Sequence, residues 1–162
     1  MFDEIELAYI AGIVDGEGTF GIMKDIYKMK KHPNWNPSYA PYFSIGMSDK
    51  SIVELIQKYF GGNIKMECVQ KRKDIFRLRV YYFSAKAIAE ALLPYLRIKK
   101  AHAENVISFF VEKIKLQEKP EHIKTPELQR REELYLKIRE LNATGATATT
   151  KRENNREVKA IV

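Results

Sequence analysis

The segment Asp15-Gly16-Glu17-Gly18 closes an otherwise apolar stretch with two carboxylates and two glycines. At the end of a helix such acids would face the negative end of its dipole, an unfavourable placement unless a cation joins them. Glycine permits tight turning and leaves backbone carbonyls accessible. Carboxylate and carbonyl oxygens together suit a hard ion such as Mg2+. The same four residues also make an ordinary polar turn, so the segment by itself leaves both readings open. Other chemistries find less support. His32, His102 and His122 share no ligand spacing and read as surface residues. No serine sits in a nucleophile elbow, and Gly61-Gly62 reads as a helix stop, not a phosphate loop. Cys68 is the only cysteine, which excludes an internal disulfide and the cysteine-rich zinc patterns.

The elements that must position this segment follow from hydrophobic spacing. Ile5 to Asp15 predicts a first helix, with Leu7, Ile10 and Val14 at helical intervals and apolar residues on nearly every side. A helix apolar all round is expected to be buried all round. Ala8, Gly12 and Gly16 recur every fourth residue, a flat stripe that another helix could approach closely. From Gly18 the period becomes two. Phe20, Ile22 and Ile26 face one way, and Thr19, Gly21, Met23, Asp25 and Tyr27 the other. A basic loop, Lys28 to Tyr39, leads to a second strand over Tyr42 to Met47, with Phe43, Ile45 and Met47 inward. Ser48 caps a helix lined by Ile52, Leu55, Ile56 and Tyr59. Strands are expected over Asn63 to Val69, with Ile64, Met66 and Cys68 inward, and over Ile75 to Tyr82, with Phe76, Leu78 and Val80 inward. Helices follow from Ser84 to Leu93, from Lys100 to Leu116, and from Thr125, the last lined by Leu134, Ile138 and Leu141.

This order predicts an α+β domain, an antiparallel sheet with helices on one face and C-terminal helices appended. Residues 1–117 form its core, 118–142 a helical extension, and 143–162 a basic, mobile tail. The other sheet face then has nothing in the chain to cover it. Its outward residues are Thr19, Met23, Asp25, Tyr27, Tyr42, Ser44, Lys65, Glu67, Arg77, Arg79 and Tyr81, joined by the loop bases Lys28, Lys30, Lys31, Lys71, Arg72 and Lys73. Arginine can fork onto guanine, lysine can neutralise phosphate, and acids can accept from cytosine. The chain has 28 Lys and Arg against 21 Asp and Glu, a net charge of +7. That surplus suits a polyanionic partner, or serves solubility alone. From the pattern, a nucleic-acid surface and a solvated sheet face are both open.

Tyr9 to Gly18, YIAGIVDGEG, is similar to the LAGLIDADG signature, Ile10 to Gly18 filling its nine positions. The αββαββα order over Ile5 to Leu116 also resembles the LAGLIDADG homing endonuclease fold, with its saddle-shaped sheet. The stretch Leu93-Pro-Tyr-Leu-Arg-Ile-Lys-Lys100 looks like the one that carries an active-site lysine in single-motif members, and Lys99 is the matching position. The resemblance implies a homodimer whose first helices pack through Ala8, Ala11, Gly12 and Asp15. It implies two copies of Glu17 at the dimer axis, each binding Mg2+ (or Mn2+ or Ca2+) with the Gly16 carbonyl. Lys99 would stabilise the phosphate, with Lys100 adding to the DNA surface, and Asp49 would position the water network. Glu17 stands where aspartate is commoner, which adds a methylene of reach. The implied activity is sequence-specific cleavage of double-stranded DNA at a long, near-palindromic site. The chain would be encoded within an intron or intein, and the target would be the uninterrupted host gene.

The main rivals are an RNA maturase on the same fold and a DNA-binding regulator that never cuts. Either would keep the basic surface, but neither needs the carboxylate. The acidic start, with Asp3, Glu4 and Glu6, is unlike a signal peptide. No apolar run reaches membrane-spanning length. A soluble intracellular protein without a membrane partner is therefore expected, of cytoplasmic or organellar origin.

Overall fold

The computed structural model describes residues 3–26, 35–68, 73–110 and 125–144. The first helix, α1 (Glu4–Glu17), starts where Asp3 accepts from the backbone N–H groups of Ile5 at 2.8 Å and Glu6 at 3.4 Å. Glu4 and Glu6 in its first turn suit the positive end of the dipole. The chain then runs through β1 (Gly18–Asp25), β2 (Ser38–Met47), α2 (Lys50–Phe60), β3 (Asn63–Glu67), β4 (Ile75–Tyr81), α3 (Phe83–Leu92), α4 (Lys100–Ser108) and α5 (Thr125–Thr144). The four strands form one antiparallel sheet in the order β1-β2-β4-β3.

Register sorts the strand residues into two faces. Phe20 pairs with Phe43, Phe43 with Val80, and Ile45 with Leu78, and all five are buried beneath the helices. Burying side chains of this size contributes about 1.5–3 kcal/mol each, so this face dominates the stability of the sheet. The opposite rows run Thr19–Ser44–Arg79–Asn63, Gly21–Tyr42–Tyr81 and Gly46–Arg77–Lys65. The predicted αββαββα core and its one-sided helices are therefore observed.

Several local expectations change. Among the described residues α1 buries one side only, through Leu7, Ile10, Ala11 and Val14, while Ile5 is 81% and Tyr9 53% exposed. Asp49, not Ser48, caps α2, accepting from the Ser51 N–H at 2.9 Å and the Ser51 hydroxyl at 2.6 Å. Val53 joins Ile56 as the buried centre of α2. β2 begins four residues earlier than expected, which brings Tyr39 and Ala40 into the interior. Ile26 lies beyond the end of β1 and is exposed. Met66 and Cys68 were expected to face inward, but β3 is a short edge strand that the helices barely cover, and both are exposed. Ile114 and the tail from residue 145 lie outside the described residues.

The last helix is built into the core. Ile138 of α5 is 2% exposed within the main hydrophobic cluster. Buried Asn105 on α4 donates to the Leu134 carbonyl at 2.8 Å. Glu132 receives both Lys24 and the Tyr39 hydroxyl, tying α5 to the ribbon of β1 and β2. Arg130 reaches the carbonyls of Ser108 and Phe109 at the end of α4. Ile138→Ala should therefore destabilise the whole domain by about 2–5 kcal/mol, read as one shifted transition in urea unfolding. A separate early transition for α5 would contradict a shared core.

Candidate nucleic-acid interface and active centre

α1 passes directly into β1. A Cβ at Gly18 would stand 2.8 Å from Val14 Cγ1 and 2.9 Å from the Val14 carbonyl oxygen, so only glycine allows that exit. The Gly18 N–H returns to the same carbonyl. Gly16 and Glu17 occupy the last turn, both exposed.

The end of α1 is fastened to the start of α4 through Asp15. Its Oδ2 accepts from the Arg97 N–H at 2.9 Å, and its Oδ1 from Ile98 at 3.2 Å and Lys99 at 2.8 Å. Burial opposes ionisation of this carboxyl, but the three backbone donors and the Lys99 charge carry it below the ordinary aspartate value. Lys99 then turns its ammonium back onto α1, with Nζ donating to the Val14 carbonyl at 2.9 Å. A cation there meets the negative end of the helix dipole. Burial pulls the Lys99 ammonium below the ordinary lysine value, against the opposing pull of Asp15 and Glu17. Glu17, Lys99 and Asp15 are thus one electrostatic unit.

Among the described residues no three His, Cys, Asp or Glu side chains gather as a metal site. What the α1 terminus offers is the exposed Glu17 carboxylate and the adjacent Gly16 carbonyl. Mg2+ commonly keeps several waters and takes one or two protein carboxylates plus substrate phosphate oxygens. The donor set fits an ion completed by such oxygens, not a closed protein cage.

Among the described residues, the open face gathers most of those expected to bind. The Tyr42 ring lies against Gly21, where a Cβ would meet it at 2.5 Å. Arg79 stacks over the Tyr42 ring at 5.5 Å, and Tyr81 packs beside it with ring centroids 6.3 Å apart. Arg77 Nε donates to Glu67 at 2.8 Å. Thr19, Met23, Asp25 and Lys65 share this face by register, Lys73 is exposed just before β4, and Lys100 is exposed at the start of α4. Tyr27, Lys28, Lys30, Lys31, Lys71 and Arg72 lie outside the described residues.

Some assignments need correction. Ser44 has the right parity, but it is only 4% exposed and its hydroxyl finds no partner among the described residues. Ala11 is fully buried inside its own chain, one residue round the helix from the exposed stripe, and is unavailable to a second subunit. The Asp15 carboxylate is turned inward by the clasp just described. Asp49 is occupied as a helix cap. His102, read as a surface residue, is half-buried one turn beyond Lys99, bonded to the Leu141 backbone and the Asn142 side chain, with Nδ1 unpartnered. Burial, then the Lys99 charge, pull its pKa down. Only the three-residue spacing from Lys99 hinted at that position.

A cationic, aromatic sheet face joined to a helix ending on an exposed carboxylate beside a half-buried lysine suits an enzyme of nucleic acids. The sequence model of the LAGLIDADG endonuclease family matches residues 10–113, well over half of the chain. The chain belongs to that family. No protein among curated sequences matches it significantly. Solved structures share the fold. The homing endonuclease I-CvuI, in complex with its target, aligns with a TM-score of 0.63 at 21% identity, covering 85% of this chain and 82% of that one. The archaeal intron-encoded homing endonuclease I-Vdi141I, complexed with DNA, gives 0.66 at 18% identity, covering 85% and 84%. The homing endonuclease I-TnaI gives 0.56 at 18% identity, covering 85% and 94%.

Asp15→Asn leaves one oxygen where two accept, so at least one N–H of residues 97–99 loses its partner. The loss should cost about 1–3 kcal/mol at neutral pH. Because folding lowers the Asp15 pKa, wild type holds this stability above the ordinary aspartate value and loses it as pH falls through the folded value. Urea unfolding should accordingly show the gap between the two proteins narrowing below about pH 4. A gap independent of pH would remove ionised Asp15 from the clasp.

Proposed function

We propose that the chain is a sequence-specific, divalent-ion-dependent endonuclease that cuts both strands of a long, near-palindromic DNA duplex as a homodimer. The observation that carries this reading is the exposed face of α1 and what lies at its end. Among the described residues, Ile5 and Tyr9 are large, apolar and open to water, and a Cβ at Gly12 or Gly16 would meet nothing within 4 Å. A helix buried on one side and bare on its other, apolar and small-residue side suits close packing against the same helix of a second copy. A two-fold arrangement of that kind would bring both Glu17 residues to the axis and impose its symmetry on the DNA.

Each residue then has a task. Arg79, Arg77, Tyr42, Tyr81 and Lys65 meet the duplex on the open face, where arginine reads base edges and lysine neutralises phosphate. Glu17 and the Gly16 carbonyl would hold the divalent ion, which would stabilise charge on the attacking and leaving oxygens. Solved structures of I-CvuI, one with Ca and one with Mg, support use of such ions. Lys99, held half-buried by Asp15, keeps a cation beside the scissile phosphate, where low exposure to water strengthens its effect on developing negative charge. An origin within an intron or intein, with the uninterrupted gene as target, fits the family.

The test is cleavage of host genomic DNA with and without Mg2+, new ends being mapped by sequencing, with Glu17→Gln alongside. Discrete paired-strand cuts that vanish in Glu17→Gln, with DNA binding kept, are expected. Tight, salt-sensitive binding without cuts would contradict the nuclease and favour the maturase or the regulator. Undiminished cutting by Glu17→Gln would remove this residue from the active centre.

A further inference from the structure

Two arginines on the open face are oriented in different ways. Arg79 lies on the Tyr42 ring. Arg77 is held by a charge, its Nε donating to Glu67 Oε1 at 2.8 Å diagonally across β3 and β4. That pair does little for the fold. Its side chains are 33% and 47% exposed, and ion pairs so open to water contribute little to stability. Nor does Glu67 suit its surroundings. It shares a face with Lys65, Arg77 and Arg79, a surface read above as meeting a polyanion, where a carboxylate weakens the attraction. The hydrogen bond from Arg77 holds the Glu67 carboxyl below the ordinary glutamate value, so the acid is ionised at neutral pH. A charge that adds little stability and reduces attraction to DNA calls for another role.

We infer that Glu67 is a positioning residue for base recognition: it holds Arg77 in the orientation that reads guanine and keeps it off the phosphates. A guanidinium offers five donors in a rigid planar fork. Occupying Nε fixes the plane of the fork and leaves both Nη groups for the O6 and N7 acceptors of one guanine in the major groove. An untethered Arg77 would instead reach whichever phosphate lay nearest, a contact that adds affinity for any sequence. The carboxylate therefore exchanges general affinity for discrimination. Arg79 obtains its orientation from an uncharged ring and makes no such exchange.

This inference rests on the duplex-binding reading, so its test separates the two. Duplexes are selected from a randomised pool at one salt concentration by wild type, Arg77→Ala and Glu67→Gln. Each protein is also titrated with an unrelated duplex. Wild type should enrich guanine at a position in each half-site that Arg77→Ala no longer distinguishes. Glu67→Gln should lose about tenfold of the preference at that same position, while binding the unrelated duplex on the order of threefold more tightly. Opposite movement of specificity and general affinity is something a merely structural residue would not produce. Unchanged preference at the Arg77 position would overturn the inference. So would a uniform loss of affinity, or a change at a base that Arg77→Ala leaves alone, which would make Glu67 a direct reader. A wild-type protein that enriches no duplex would instead overturn the DNA-binding reading, and this one with it.

Discussion

The centre of the molecule depends on one carboxylate. Asp15 gathers the backbone N–H groups of Arg97, Ile98 and Lys99, and so joins the last turn of α1 to the segment that leads into α4. The N-cap residue of α4, Lys99, makes no side-chain cap, and Asp15 takes its N–H together with those of the two residues before it. Because Lys99 is the third residue clasped, its ammonium is delivered to the Val14 carbonyl, one turn before Glu17. The carboxylate therefore sets the relation between the exposed acid Glu17 on one element and a cation on another. Neither element could fix that relation alone.

Behind this junction the sheet divides its labour by parity. Phe20, Phe43, Ile45, Leu78 and Val80 bind it to the helices, while the alternate residues form an open surface of arginine, tyrosine and lysine. α5 makes the end of the ribbon rigid: Glu132 takes Lys24 and Tyr39 together, and Ile138 is anchored in the interior. A rigid ribbon suits a surface that must hold side chains in register against base edges.

Much of this was legible in the sequence. The exit through Gly18 and the parity of the strands follow from local chemistry and a period of two, and both survive in the structure. The buried side of α1 did not follow, because a helix apolar all round gives no contrast between Ala8 and Ala11, one turned outward and the other inward. Ser44 shows the limit of parity: its face was right, but it is buried. Ser48 and Asp49 are both good capping residues, and only the backbone decides between neighbours. The clasp joins residues more than eighty positions apart, a distance at which spacing carries no signal. The inward line of α5 through Leu134 and Ile138 was legible, but its packing into the core of the sheet domain was not, since its buried residues are few and its surface is mostly charged.

The central claim is that two copies of α1 bring two Glu17 residues to one duplex, one for each strand. Mixed dimers of wild type with Glu17→Gln, separated by distinct affinity tags, test it on a supercoiled plasmid carrying a selected site. The account predicts nicked circles that accumulate without linearising, since one of the two carboxylates is missing. Linear product at the wild-type rate would contradict it, by showing that a single Glu17 serves both strands.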